Sequence, residues 1–314
     1  SMFYRQSSKG GENLSADLLD KLLSDVAGFH PNIDFAGVEP LLHPEIIELI
    51  KHVKRHRLFL SLTTNGIFLE RHAERLINSG LDVIVISVNG PEKVHDDLIG
   101  ISGAFQKAMA GMVELKKFKI NRNKNKLRVA VNYCVTDVNA GDLVETASIV
   151  LNGGLADSVS IIHPYFVTKA ASDEHNKYYR DLAGISTPVG PQENILTEID
   201  VDVLWEQLCE LRIIFSHEKI REIQKFKCKK ELFIYYRRPE LSVNDRGCRI
   251  PWQRSMIMSN GDVVIYNRCI PYIAGNIKLD SFLNIWNGKA YRSFRQSLRQ
   301  AKAFPICSRC CGVV

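Results

Sequence analysis

The chain has no apolar run near the roughly 18 to 20 residues that a membrane span needs, and no signal-peptide pattern. No membrane partner is therefore expected. Cysteine is too sparse for a secreted disulfide scaffold, with eight in 314 residues. Five of the eight fall from Cys248 onward, and that bunching favours reduced, metal-binding thiolates in a cytosol. Charge of one sign is not in large excess, and a net charge of +6 points to no particular partner. The one strongly basic stretch, 116–128, lacks the interleaved aromatics of a nucleic-acid groove and reads as a solvated connection. Hydrophobic content of 45% and charged content of 24% are ordinary for a globular protein. The length suits one large domain or two ordinary ones. The chain opens Ser1-Met2 rather than on Met, as a trimmed start would.

What is there is a βα alternation. Ser15 caps a helix whose Leu18, Leu19, Leu22, Leu23 and Val26 have helical spacing. Strands are predicted at 33–36, 58–63, 82–88, 127–135 and 158–162, with helices at 44–56, 68–78, 91–97, 103–118 and 142–151. The run 82–88 is nearly all apolar, as for a parallel strand buried on both faces. Five strands separated by helices imply a parallel sheet with right-handed crossovers. Residues 166–200 lose periodicity and read as a loop or substrate-covering insertion, and 203–227 returns to helix.

Ligands of such sheets sit at the carboxyl ends of the strands. The first strand exits into Gly37-Val38-Glu39-Pro40-Leu-Leu-His43-Pro44, the second into Thr63-Thr64-Asn65-Gly66, and the third into Ser87-Val88-Asn89-Gly90-Pro91, followed by His95-Asp96. Small residues with a carboxylate, amides and hydroxyls on neighbouring rims suit a polar ligand carrying an amine and hydroxyls. His43 and His95 read as helix-start or surface histidines.

At the other end, Cys248 and Cys269 flank a predicted hairpin turning at Asn260-Gly261. Cys307-Ser-Arg-Cys310-Cys311 sets two thiolates on one tight turn. Hairpin plus turn supply four sulfurs, which suits tetrahedral zinc or a [4Fe–4S] cluster. Cys134 and Cys209 read as core residues, Cys228 as an exposed thiol, and Cys311 as a spare one.

Taken in order, these motifs resemble a radical SAM enzyme with a C-terminal auxiliary iron–sulfur domain of the SPASM or shortened twitch type, over nearly the whole chain. The resemblance implies an α/β fold: a partial (βα)6 TIM-like barrel at 1–200, a helical linker at 201–245, and a small cysteine-rich hairpin and helix domain at 246–314. The barrel's first strand and the Cys-x3-Cys-x2-Cys loop that holds the catalytic [4Fe–4S] cluster are expected upstream of Phe3. By the same resemblance, the backbone of Gly37, Val38, Glu39 and Pro40 holds the amino group of S-adenosylmethionine. Thr64, Asn65, Ser87 and Asn89 lie where strand-end groups meet its carboxylate or ribose, Asn132 faces the ribose, and His163 and Tyr165 fall in the adenine-contacting stretch. Cys248, Cys269, Cys307 and Cys310 would ligate one auxiliary [4Fe–4S] cluster. The implied activity is reductive cleavage of S-adenosylmethionine and hydrogen abstraction from a peptide or small-molecule substrate, in the cytoplasm, with a reductant such as flavodoxin or ferredoxin. The alternative is a degenerate or zinc-stabilised α/β binding protein without radical chemistry. No catalytic acid or base stands out.

Overall fold

The computed structural model describes residues 13–121, 126–182, 184–192, 199–241, 248–265 and 270–309. Helix α1 (Ala16–Val26) begins where the sequence predicts. The Ser15 hydroxyl accepts the Leu18 amide at 3.2 Å, satisfying one of the helix's free donors.

The βα repeat follows as β1 (Asn32–Phe35), α2 (Ile46–Arg55), β2 (Phe59–Thr64), α3 (Leu69–Ser79), β3 (Val83–Ser87), α4 (Glu92–Ile99), α5 (Ala104–Asn121), β4 (Arg128–Cys134), α6 (Leu143–Asn152) and β5 (Ser158–Ile162). Each strand pairs in parallel with the one before it. Leu60, Leu62, Ile84, Ile86, Val129, Val131, Val159 and Ile161 point to one face and are buried. The alternate positions, Ser61, Thr63, Val85, Ser87, Ala130, Asn132, Ser158 and Ser160, are half-buried. The expectation that 82–88 is buried on both faces is thus corrected: Val83, Val85 and Ser87 line the less covered face of the sheet. Helix α5 runs through Asn121, so the first half of the basic stretch is helix rather than connection.

Two further corrections come after β5. Within 166–200 lie helix α7 (Lys169–Tyr179), capped by the Thr168 hydroxyl accepting the Ala171 amide at 3.1 Å, and a short hairpin of β6 (Asp181–Leu182) and β7 (Ile185–Ser186). The buried side chains of α7 are Ser172 and His175, both polar, so no apolar stripe announced it. Helix α8 (Val201–Ile214) then stops, and β8 (Ile220–Glu222) joins β5 in parallel where the sequence suggested continued helix. Three residues are too few for a period of two to show. The Arg212 guanidinium holds the Glu222 carboxylate with bonds of 2.8 and 2.6 Å.

The six-stranded sheet has the order β1-β2-β3-β4-β5-β8, and its partial-barrel class is the expected one. Among the described residues, no strand pairs with the outer edge of β1.

Residues 27–162 and 202–223 form one compact unit, and 13–26, 163–201 and 224–309 another. The units interleave along the chain. The second unit contains α9 (Lys229–Arg237) and an antiparallel sheet, order β11-β10-β9, of β9 (Ser255–Ile257), β10 (Asp262–Ile265) and β11 (Ile273–Asn276). The predicted Asn260-Gly261 turn joins the first two of these strands. Helices α10 (Phe282–Trp286) and α11 (Lys289–Ala301) follow. Val263, Ile265, Tyr272, Tyr291, Phe294 and Phe304 are the centre of this unit's core, which also takes in Leu18 of α1. No helix among the described residues is long and apolar enough to cross a membrane.

Candidate functional site

At the carboxyl end of the sheet the polar rims are tied to one another by a single carboxylate. Glu39 caps the short turn Pro40–Leu42, its Oε1 accepting the Leu41 amide at 2.9 Å. The same oxygen accepts the Thr64 hydroxyl at 2.7 Å, and Oε2 accepts the Asn65 amide at 2.8 Å. Thr64 Oγ1 in turn accepts the Gly66 amide at 3.0 Å, and Asn65 Oδ1 accepts the Ile67 amide at 2.9 Å. Glu39 therefore joins the loop after β1 to the loop after β2, and its carboxylate is committed to the protein's own donors. The backbone beside it is open. A Cβ added at Gly37 would meet nothing within 4 Å, and Val38 is 92% exposed. Gly66, by contrast, has φ +81°, and a Cβ there would lie 2.8 Å from Ala108 Cβ on α5. The Thr-Asn-Gly motif needs its glycine for both reasons.

The end of β3 is fixed in a different way. Asn89 Oδ1 accepts the Cys134 amide at 3.0 Å, and its carbonyl accepts Asn139 Nδ2 at 2.8 Å, so the residue ties the end of β3 to that of β4. Its amide donates to His95 Nδ1 at 3.1 Å, which puts the imidazole proton on Nε2. His95 is wholly buried, a correction to its reading as a helix-start or surface residue. Burial pushes its pKa down, with Asp96 opposing, so the ring favours the neutral state that accepts from Asn89. His43, at the start of α2, accepts the Glu45 amide at 3.1 Å. Ser87 and Asn132 are register partners, Asn132 and Ser160 likewise, and all three are half-buried.

His163 and Tyr165 belong to the second unit. His163 is wholly buried, its Nδ1 2.6 Å from the Tyr236 hydroxyl, with the rings of Phe226 and Tyr235 at 4.9 and 6.0 Å. Burial pushes the Tyr236 phenol well above its ordinary range, so it stays protonated. Tyr165 is half-buried and packs against the unit's core.

That core also contains cysteine. Cys307 is 6% exposed within it, on the turn Pro305–Arg309, and the half-buried Cys248 packs against it. Cys269, Cys310 and Cys311 lie outside the described residues, and among those described no three of His, Cys, Asp and Glu gather as a metal site. Cys134 is buried at the end of β4, Cys209 is half-buried on α8, and Cys228 is exposed.

Sequence reasoning missed Arg309. It is 1% exposed, and its guanidinium donates to carbonyls throughout: Tyr235 at 2.6 Å, Leu241 and Ser308 at 2.8 Å, Ile234 at 2.9 Å and Arg238 at 2.7 Å. Ile234, Tyr235 and Arg238 lie at the C-terminal end of α9, where a cation is favoured. The clamp fixes the turn that carries Cys307. An arginine between two cysteines was the signal, but nothing in sequence distinguishes it from a solvated one. Soft sulfur donors in an apolar core on a rigid turn fit a thiolate-bound metal or cluster.

The chain matches the family model of the radical SAM superfamily over residues 2–150, and that of an iron–sulfur cluster-binding domain, SPASM, over 248–311. It is 30% identical over 141 residues to a probable GTP 3',8-cyclase of Methanococcus maripaludis, covering 41% of this chain and 48% of that protein. The chain spans about half the length of the curated relatives it matches. Native anSMEcpe with bound AdoMet superposes with a TM-score of 0.62 at 16% identity, over 99% of this chain and 83% of that one. Streptococcus suis SuiB bound to its precursor peptide SuiA gives 0.61 at 16% identity, over 100% and 67%.

Proposed function

We propose a function from one premise, that the chain belongs to the radical SAM superfamily and ends in a SPASM-type iron–sulfur cluster-binding domain. It acts as an enzyme that uses S-adenosylmethionine to start hydrogen abstraction from a peptide or small-molecule substrate. The observation that carries this reading is the Glu39 network, which holds the loops after β1 and β2 together at one end of a parallel sheet.

When bound, a reduced [4Fe–4S] cluster would supply one-electron reductive cleavage of S-adenosylmethionine at its C5′–S bond and, through it, hydrogen abstraction from substrate. The protein's residues position and shield. The open backbone at 37–40 receives the amino group. Asn65 keeps its Nδ2, and Ser87 and Asn132 their polar groups, for the carboxylate and ribose, while Thr64 and Asn89 hold the rims in place. Cys248, Cys269, Cys307 and Cys310 hold one auxiliary [4Fe–4S] cluster, with Arg309 fixing the last pair's turn.

The SuiB–SuiA resemblance supports a peptide substrate, and the cyclase resemblance a small molecule. A flavodoxin or ferredoxin supplies the electron, and the enzyme works in the reducing cytoplasm. The test is anaerobic incubation of the full-length, iron-loaded protein with S-adenosylmethionine and dithionite. Equal amounts of 5′-deoxyadenosine and methionine support the reading, and neither product on an iron-loaded sample overturns it.

A further inference from the structure

Helix α7 is the element the sequence concealed, and one of its residues has no structural explanation in the protein alone. Ala171, His175 and Tyr179 recur every four residues and share one face of the helix. His175 is wholly buried, stacks on the Tyr179 ring at 5.7 Å and meets the Phe304 ring edge-on at 5.5 Å. Neither ring nitrogen has a hydrogen-bond partner among the described residues. A buried polar group left in that state is costly, so an orphan of this kind calls for a partner of another sort.

The surroundings indicate which. Phe304 is the residue whose carbonyl accepts the Cys307 amide at 2.8 Å, and α7 packs on the turn Pro305–Arg309. Tyr179, Phe304, Cys307 and Cys248 all belong to the same core. Burial pulls the imidazole pKa down to about 4, so the ring is neutral and carries one N–H at ordinary pH. That N–H has no acceptor bonded to it among the described residues, and thiolate and sulfide sulfurs are acceptors.

We propose that His175 is a positioning residue of the auxiliary cluster, its ring N–H hydrogen-bonded to a sulfur of the cluster that the Cys307 turn carries. The inference rests on the cluster assignment made above. Hydrogen bonds to cluster sulfurs stabilise the more negative, reduced state and raise the reduction potential. Helix α7 thereby forms a wall of the cluster chamber and sets the potential at which the cluster passes an electron.

The test is an EPR-monitored redox titration of the auxiliary cluster in the full-length holoprotein, comparing wild type, His175→Phe and His175→Gln, with iron and sulfide counted in each sample. Loss of the N–H in His175→Phe should lower the reduced-to-oxidised ratio at the wild-type midpoint about tenfold, a shift of about 59 mV for a one-electron couple. Glutamine, which keeps an N–H donor, should recover part of the shift. Identical potentials in all three overturn the inference. Should His175→Phe fail to hold its cluster, wild type labelled with ¹⁵N-histidine decides. Pulsed EPR of the reduced cluster should then show a nitrogen coupling that disappears in His175→Gln, and the absence of that coupling from wild type overturns the proposal. A wild type with no iron defeats the cluster assignment itself, a separate outcome.

Discussion

The Thr64 hydroxyl donates to the Glu39 carboxylate at 2.7 Å, joining loops that lie 25 residues apart in sequence. The bond matters because the neighbouring oxygen is committed to the Asn65 amide. In Glu39→Gln one of those acceptors becomes an NH2, and a buried donor loses its partner. We expect a loss of about 1–3 kcal/mol, read as a lower urea midpoint, with weaker S-adenosylmethionine binding by calorimetry. A variant with wild-type stability and affinity would show that the carboxylate is not the joint.

Two glycines of the strand-end loops should separate folding from binding. Gly66→Ala places a Cβ 2.8 Å from that of Ala108 at a φ of +81°, so unfolding should become easier by roughly 1–3 kcal/mol. Gly37→Ala adds its methyl to open space. Its urea midpoint should match wild type while affinity for S-adenosylmethionine falls.

Much of the sheet was legible before any coordinates. Ser15 marks a helix start with the chemistry that position needs, and the apolar runs 58–63 and 82–88 announce β2 and β3, although the second run hides which face is the less covered. Strand β8 escaped because three residues carry no period, and α7 because its buried residues are polar. The site divides the same way. Glu39 stands out within its motif, but four of the five carbonyls around Arg309 come from residues about 70 positions away, and no local pattern encodes them.

Arg309 should be hard to replace. Lysine offers three donors in place of a planar fork, so Arg309→Lys cannot keep all five carbonyl contacts, the Tyr235 carbonyl at the end of α9 among them. We expect a loss on the order of 3 kcal/mol, together with reduced iron per chain. Equal iron in the variant and wild type would mean that the clamp does not serve the cysteine turn.

Stability should fall in mild acid. The pKa of His95 is lowered by burial, so the unfolded chain binds its proton more readily than the folded one. Its contribution is therefore fully present above the ordinary imidazole range near 6.5 and is lost as pH falls from there towards the folded pKa. Charging the ring also removes the acceptor for the Asn89 amide. Urea midpoints between pH 7.5 and 5.5 should decline in wild type and less steeply in His95→Gln, and parallel curves would exclude His95 as the cause.

The most direct test of the account is the content of iron and acid-labile sulfide in residues 1–314, prepared without oxygen. The account predicts roughly four of each per chain, with brown colour, and loss of both in Cys307→Ala. Zinc in place of iron, with no sulfide, would contradict it.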